Sequence, residues 1–199
     1  MPEVREPIKQ TSIEKKQKII DAGLKLFSEK GYYNTNTAEI AKTAGVSTGI
    51  VYQYFNDKKD ILIYAVKKYF NAIFEPMEEL FKNLTQPVDW DKLLTDLINT
   101  AIKSHEAHSL AHEEMVAMSH LDDDIHDIFI ESEHKIIDKI LVFLESNNVS
   151  IPHMHDKVHM AYSIIENLCH EYVYHNHSFI DYEYTISVTK EIIKMLMSK

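Results

Sequence analysis

Apolar residues recur at helical spacing along most of the chain, beginning with Ile13, Ile20, Leu24 and Phe27. Positions three and four apart share one face of a helix, so this stretch predicts an amphipathic helix that ends at Gly31. Thr11 and Glu14 have the spacing of a capping box, with a hydroxyl first and a carboxylate three residues later. The first helix is therefore predicted to start at Thr11.

Two short helices are predicted next. Asn36 can cap the first of them, which ends at Gly45, and Ser47 can cap the second, which covers 48–55. The turn between them contains a glycine, which readily takes the backbone conformation that a tight turn requires. This order predicts a helix-turn-helix.

Longer helices account for the rest of the chain. One starts at Asp57 and is predicted to be kinked or ended near Pro76, because proline lacks the N–H that a helix interior needs. Five more are predicted at about 90–107, 109–120, 124–147, 153–177 and 182–198. Four glycines and five prolines in 199 residues are too few turn-formers for a many-stranded sheet. The predicted fold class is all-α, with about nine helices.

Three regions are predicted along the chain. Residues 1–10 form a flexible arm, 11–56 the helix-turn-helix domain, and 57–199 a helical domain for ligand sensing and dimerisation. The helix that starts at Asp57 crosses into the last region, so it can transmit a movement from one region to the other.

Charge separates the two ends of the chain. Residues 1–60 carry 10 Lys and Arg against 8 Asp and Glu, whereas residues 61–199 carry 11 against 23. A phosphate partner is therefore expected only at the N-terminal end. A single cysteine, Cys169, excludes an intrachain disulfide. With no apolar run near 18 residues and no secretory leader, we expect a cytoplasmic protein with no membrane partner.

The helix-turn-helix layout presents its second helix to the major groove while the first braces it. The side predicted to be exposed carries Thr48, Gly49, Tyr52, Gln53 and Tyr54. Glutamine can bond adenine edges, and threonine and tyrosine can reach bases or phosphates. Lys58 and Lys59 lie in the first turn of the next helix, where charge and helix dipole would both favour a phosphate.

Several correctly spaced residues then resemble the tetracycline-repressor (TetR) family over roughly residues 11–65. They are Gly31-Tyr32, Ile40-Ala41, Ala44-Gly45-Val46-Ser47, Gly49, Tyr52, Tyr54-Phe55, Lys58 and Leu62. The resemblance implies operator contacts at Thr37, Thr48, Gly49, Tyr52, Gln53, Tyr54 and Lys58. Asn36 stands where Ser or Thr is usual, which preserves the cap but can change a phosphate contact. With Asn36, Ser47 and Lys59, these residues form the predicted DNA-binding set.

The resemblance also implies a dimer, in which the helices near 153–177 and 182–198 form a four-helix bundle with their copies. Both helices carry apolar arcs wider than one intrachain neighbour needs, namely Val158, Tyr162, Ile165, Leu168, Cys169 and Tyr172, and Ile186, Ile192, Ile193 and Leu196. Two copies are what a palindromic, double-stranded operator requires.

The histidines suggest a sensing site. All twelve lie between His105 and His177, and His105, His108 and His112 continue an apolar stripe of their helix. On an uninterrupted helix they would face inward and could bind a metal ion or an organic effector. Alternatively, a break near Ser109 would leave them at helix ends or in solvent. The candidate ligand-binding residues are His105, His108, His112, Tyr162, Glu166 and His170, and the first three are the candidate metal ligands.

An enzyme is not expected. Glu131 and His134 have a di-iron spacing but point away from the apolar stripe of their helix, and no glycine-rich phosphate loop or nucleophile-base pair occurs. No cofactor is expected either. The predicted function is a ligand-responsive transcriptional regulator, a repressor released by a small-molecule effector. The alternative is a DNA-binding regulator that senses metal or pH through its histidines and takes no organic ligand.

Overall fold

A computed structural model describes residues 7, 9–84, 87–107 and 109–198. Over those residues the fold is all-α, with nine α-helices, one π-helical segment and no strand, as the sequence predicts. The helices are α1 (Gln10–Lys30), α2 (Thr37–Ala44), α3 (Thr48–Tyr54), α4 (Lys58–Lys82), α5 (Trp90–Ala107), α6 (Ser109–Ser119), α7 (Asp123–Ser146), α8 (Met154–His170) and α9 (Tyr182–Leu196). The π-helical segment, Glu171–His175, directly continues α8. None of these helices is long and apolar enough to cross a membrane.

The helix predicted at 153–177 is α-helical to His170 and π-helical to His175. The start of α1 and the end of α4 also differ from prediction. The carbonyl of Lys9 accepts the N–H groups of Ser12 and Ile13 at 2.8 and 3.0 Å, so α1 already starts at Gln10. Thr11 lies inside the first turn, and the predicted capping box is wrong. α4 does not end near Pro76 but continues to Lys82. Pro76 and Ala72 are both exposed, so water can bond to the carbonyl that the proline leaves without its helical partner.

The described residues form two compact units. The first unit comprises those up to 70 and 109–130, and the second comprises 71–107 and 131–198. The chain passes from one unit to the other within α4, between residues 107 and 109, and within α7. The limits predicted at 11–56 and 57–199 stay a prediction, and most of the predicted arm lies outside the described residues.

The first unit has a core of fully buried apolar side chains from α1, α2, α3 and the start of α4, including Ile19, Phe27, Ile40, Val51, Phe55 and Ile61. α6 is linked to the end of α1 by a charged group, because the Glu114 carboxylate accepts the backbone N–H of Tyr32. Beside it, Gly31 has φ +84°, and a Cβ there would clash with the Glu114 carboxylate. Glycine is therefore required where α1 ends.

The second unit has a core in which α5 packs against α8. Its buried members are Ile98, Ala101, Ile102, Leu168 and Cys169, with Ile186 of α9 packed at the edge. The arc predicted on α8 from its spacing therefore faces partly into its own chain.

Candidate functional site

Local caps start α2, end it at the turn and start α3, as predicted. The Asn36 side chain accepts the N–H of Glu39 at 3.0 Å, and the Glu39 carboxylate accepts the N–H of Asn36 at 3.2 Å. Gly45 takes the left-handed conformation with φ 70° and ends α2. Ser47 Oγ accepts the N–H of Ile50 at 3.4 Å and starts α3. These caps fix the direction in which α3 leaves the turn.

The exposed surface of α3, here called the α3 face, consists of Thr48, Gly49, Tyr52 and Gln53. Tyr54 does not belong to it, because this side chain is only 8 % exposed. Val51, Tyr54 and Phe55 share the inner side of α3 at three- and four-residue spacing, which turns Tyr54 into the core. The prediction that Tyr54 is exposed is therefore wrong.

Tyr52 is held by a contact between the two helices. Its hydroxyl lies 3.1 Å from Thr37 Oγ1 at the start of α2, while the side chain stays 45 % exposed. The bond orients the ring and leaves both hydroxyls near the surface, where they can reach a nucleic acid.

Lys58 contacts carbonyl oxygens of its own chain. Its ammonium donates to Tyr32 O at 2.7 Å and Thr35 O at 2.9 Å and lies 4.0 Å from the centre of the Tyr32 ring. Burial lowers the pKa of this lysine. An ammonium has three N–H donors, so a third remains for a phosphate.

Lys59 contacts acidic groups instead. Its ammonium lies 2.6 Å from the Asp122 carboxylate and 2.8 Å from that of Asp124. Hydrogen bonds to these two groups raise the pKa of Lys59. Two carboxylates therefore compete with any phosphate for this lysine.

A cavity of about 400 Å³ lies within the second unit. Its lining is almost entirely apolar and comes from α4, α5, α7, α8 and α9 and the residues that follow α7 and α9, among them Ile73, Met77, Leu97, Phe143, Ala161, Ile165 and Ile193. Tyr162 and Glu166, both predicted ligand-binding residues, belong to the lining, and so does Lys194. Lys194 lies 2.5 Å from the Asp91 carboxylate, and hydrogen bonds from Lys194 and Lys190 lower the pKa of Asp91.

The buried imidazole of His105 lies next to Glu166. His105 is 1 % exposed, its Nδ1 lies 2.9 Å from Ala101 O, and its Nε2 lies 3.4 Å from the Glu166 carboxylate. Burial opposes the charged form of His105, but hydrogen bonds to Cys169 and Glu166 outweigh it and raise the pKa to about 10. Near neutral pH both ring nitrogens therefore carry protons, and each can donate to one of these oxygens.

The other predicted sensing residues are divided between the units. His170 packs with His105 in the second unit, with ring centres 5.7 Å apart. His112 is buried in the first unit, where its Nδ1 bonds to the Tyr69 hydroxyl. His108 lies outside the described residues. α5 extends to Ala107 and α6 begins at Ser109, and His105 and His112 are both buried rather than solvated.

Sequence reasoning missed several residues of these sites. Lys194 and Asp91 come from helices about 100 residues apart, and no local pattern pairs them. Glu114, which binds the end of α1, is likewise distant from its partner along the chain. The available signal was only that each is a charged residue beside an apolar helix face.

Comparisons with known proteins agree with this geometry. Residues 19–65 match the family model described as bacterial regulatory proteins, tetR family. The HTH-type transcriptional regulator HbdR of Aromatoleum sp. (strain CIB) is 45% identical over 76 residues, 38% of this chain and 33% of HbdR. The fatty acid metabolism regulator protein of Bacillus subtilis (strain 168) is 43% identical over 68 residues, 34% of this chain and 35% of that protein. The matches thus span about a third of the length of these relatives.

The similarity of fold extends further. A crystal structure from Mesorhizobium loti, described as a TetR-family transcriptional regulator, aligns with a TM-score of 0.77 over 95% of this chain and 98% of that chain, at 16% identity. At 16% identity the alignment shows a similarity of fold only.

A capped helix-turn-helix with an exposed second helix, within a fold that is all-α over the described residues, is the layout of proteins that read the major groove of DNA. Residues 19–65 are therefore similar to the matching segment of TetR-family regulators, and the chain shares its fold with a structure described as a member of that family. Both named relatives are regulators.

Proposed function

We propose that the chain is a cytoplasmic, ligand-responsive repressor that binds a palindromic operator as a homodimer and is released when an effector enters the cavity of the second unit. The observation that carries the proposal is that one chain holds both the exposed α3 face and a mostly apolar cavity of about 400 Å³. That volume suits a small organic molecule. α4 supplies residues to both units, and we expect it to transmit the effect of binding.

The α3 face is the proposed base-reading surface. The amide of Gln53 can bond two positions of an adenine edge, and Tyr52, braced by Thr37, can contact a thymine methyl or a phosphate. Lys58 and Lys59 are the proposed phosphate contacts, beside the caps Asn36 and Ser47. We expect Tyr54 to support α3 from the core rather than touch bases.

The second copy would bind along α8 and α9. An apolar stripe on α9 is exposed, comprising Tyr184, Val188, Ile192 and Met195 at 69, 36, 45 and 74 %. A stripe of this kind marks an interaction surface. Ile192→Asp should therefore produce monomers that bind the operator weakly, since a palindrome needs two copies. Sedimentation of the variant would test this, with exposed Val142→Asp on α7 as control, and an unchanged dimer would refute the bundle.

The lining of the cavity indicates the class of effector. Glu166 is paired with His105 and Lys194 with Asp91, so the protein balances both charges itself. An apolar molecule with at most one hydrogen-bonding or cationic group fits this lining best. The Bacillus subtilis relative is named a regulator of fatty acid metabolism, which supports an effector with an apolar chain.

A regulator that senses metal or pH through its histidines is the second candidate, favoured by the buried His105–Glu166 pair. With a pKa of about 10, however, His105 keeps its proton between pH 5.5 and 8, so it does not switch in that range, and a metal ion would first have to displace the proton. The predicted metal ligands His105, His108 and His112 therefore support this candidate less well than the cavity supports an organic effector.

The test is operator binding after selection of the operator from random DNA, titrated with apolar and cationic compounds, divalent metals, chelator and pH. Ala161→Trp fills the cavity and should abolish the response to the active compound while leaving effector-free operator affinity unchanged. Ala72→Trp, on the exposed side of α4, is the matched control. A response of Ala161→Trp equal to that of the parent would show that the effector binds elsewhere.

A further inference from the structure

We propose that Glu171, His175 and His177 form a binding site for a divalent transition-metal ion of the zinc type, separate from the cavity. His175 Nδ1 lies 3.0 Å from one Glu171 carboxylate oxygen, and His177 Nε2 lies 3.6 Å from the other. One ligating atom from each residue lies within 4.8 Å of the other two. Three donors of two kinds thus converge at one point on the surface of the second unit.

The spacing of the donors suits such an ion. Zinc binds imidazole nitrogens and carboxylate oxygens at ~2.0–2.2 Å, so neighbouring ligands of a tetrahedral ion are ~3.3 Å apart. The two measured separations lie on either side of that value. Two imidazoles and one carboxylate favour zinc, nickel or cobalt over magnesium or calcium, and they leave a coordination position for water.

The backbone holds the three residues in place. Glu171 and His175 both belong to the π-helical segment, whose wider turn places their side chains differently from those of an α-helical turn. Asn176, with φ 40°, then reverses the chain so that His177 returns toward Glu171. The Tyr182 hydroxyl donates to Glu171 O and accepts the N–H of His177, both at 2.9 Å. The cluster is therefore braced by α9.

The position of the cluster also favours a cation, and so does the number of ligating side chains that it brings together. The cluster lies where α8 and its π-helical continuation end, and the carbonyl end of a helix attracts positive charge. Other exposed histidines form simple pairs, His153 with Asp156 at 3.6 Å and His159 with Glu133 at 2.9 Å. Among the described residues no third ligating side chain joins either pair. They provide matched controls.

The site would connect the end of α8 to the start of α9, the two helices of the proposed dimer. A bound ion would stabilise this connection without contacting the cavity or the α3 face. Metal uptake can therefore be measured independently of operator binding, and it can fail while the proposed repressor function stands.

The test uses the full chain, freed of metal by chelator and titrated with ZnCl₂ by calorimetry and native mass spectrometry, with Co²⁺ absorption as a spectroscopic measure of coordination. We expect one Zn²⁺ per chain. His175→Gln with His177→Gln should weaken binding by more than ~100-fold, because losing even an outer-shell partner costs ~10–100-fold. Glu171→Gln should weaken it as well, whereas His153→Gln with His159→Gln should leave it unchanged.

Each result decides the matter. Loss of the ion in the first two variants, with normal circular dichroism and retention in the control, supports the site. Absence of zinc binding by the parent, or equal affinity in the parent and the His175→Gln, His177→Gln variant, overturns it. Retention of binding in His105→Gln would further separate this site from the buried histidines.

Discussion

The α3 face and the cavity differ in how the sequence specifies them. The turn that presents α3 depends on contacts between residues at most five apart, such as Asn36 with Glu39 and Ser47 with Ile50. The cavity lining instead comes from five helices, and Ile73 and Ile193 lie on the same cavity 120 residues apart. A DNA-binding surface can therefore be identified from a short motif, whereas an effector site becomes visible only when the chain is packed.

The two regions also use charge differently. Beside the helix-turn-helix, the ammonium groups of Lys58 and Lys59 contact carbonyl and carboxylate oxygens near the surface. DNA phosphates would compete with these oxygens for the two lysines. In the second unit, the His105–Glu166 pair is largely removed from water. Substitutions in the first region should thus change binding and its salt dependence, and those in the second should change stability with pH.

The largest expected effect is on the stability of the first unit. Gly31→Ala places a Cβ against the Glu114 carboxylate at a positive φ, which should lower the free energy of unfolding by about 2–4 kcal/mol. Gly49→Ala, whose nearest neighbour would be Ser47 Oγ at 3.9 Å, should stabilise the protein by up to ~1 kcal/mol. Urea denaturation measures both. Equal stability of the two variants would mean that Glu114 does not hold the end of α1 as described.

The same contrast explains what the sequence could and could not predict. Local sequence signals predict the caps at Asn36, Gly45 and Ser47, and they also predict the nine helices of the described residues. Tyr54 was misplaced because motif spacing does not reveal which side of a short helix faces the core. The carboxylates that pair with Lys59 come from the start of α7 and the residue before it, and the carboxylate that pairs with His105 comes from α8, so only tertiary packing could supply them.

The next effect is a dependence of stability on pH in the second unit. The pKa of His105 is raised from 6.5 to about 10. The His105–Glu166 pair therefore stabilises the folded state fully below pH 6.5, and this stabilisation is lost as the pH rises toward 10. At ~1.4 kcal/mol per pKa unit the full shift would correspond to ~5 kcal/mol, but the Glu166 side chain is 27 % exposed and water screens the pair, so we expect the free energy of unfolding to fall by only ~1–3 kcal/mol across that range. His105→Gln should flatten the fall, whereas exposed His159→Gln should not. Parallel curves for His105→Gln and the parent would contradict a protonated His105.

A comparable effect is expected on operator affinity. Gln53→Ala should reduce affinity by ~1–3 kcal/mol and relax discrimination at one base pair, because the amide is the best base-reading group on the α3 face. Gln17→Ala, on exposed α1, is the control, since Gln17 bonds only Asp21 of its own helix in the described contacts. Fluorescence anisotropy with the selected operator and single-base variants measures the change. Similar affinities for both variants would exclude Gln53 from the interface.

The smallest effect separates Lys58 from Lys59 by the salt dependence of DNA binding. Each phosphate neutralised by a lysine contributes ~0.9 to the slope of log affinity against log salt concentration. Lys58 bonds two uncharged carbonyls and keeps its charge and one N–H, so Lys58→Met should lower that slope by about one phosphate. Lys59 is already neutralised by Asp122 and Asp124, so Lys59→Met should change the slope much less. If the two substitutions lowered the slope equally, DNA binding would have to release Lys59 from both carboxylates.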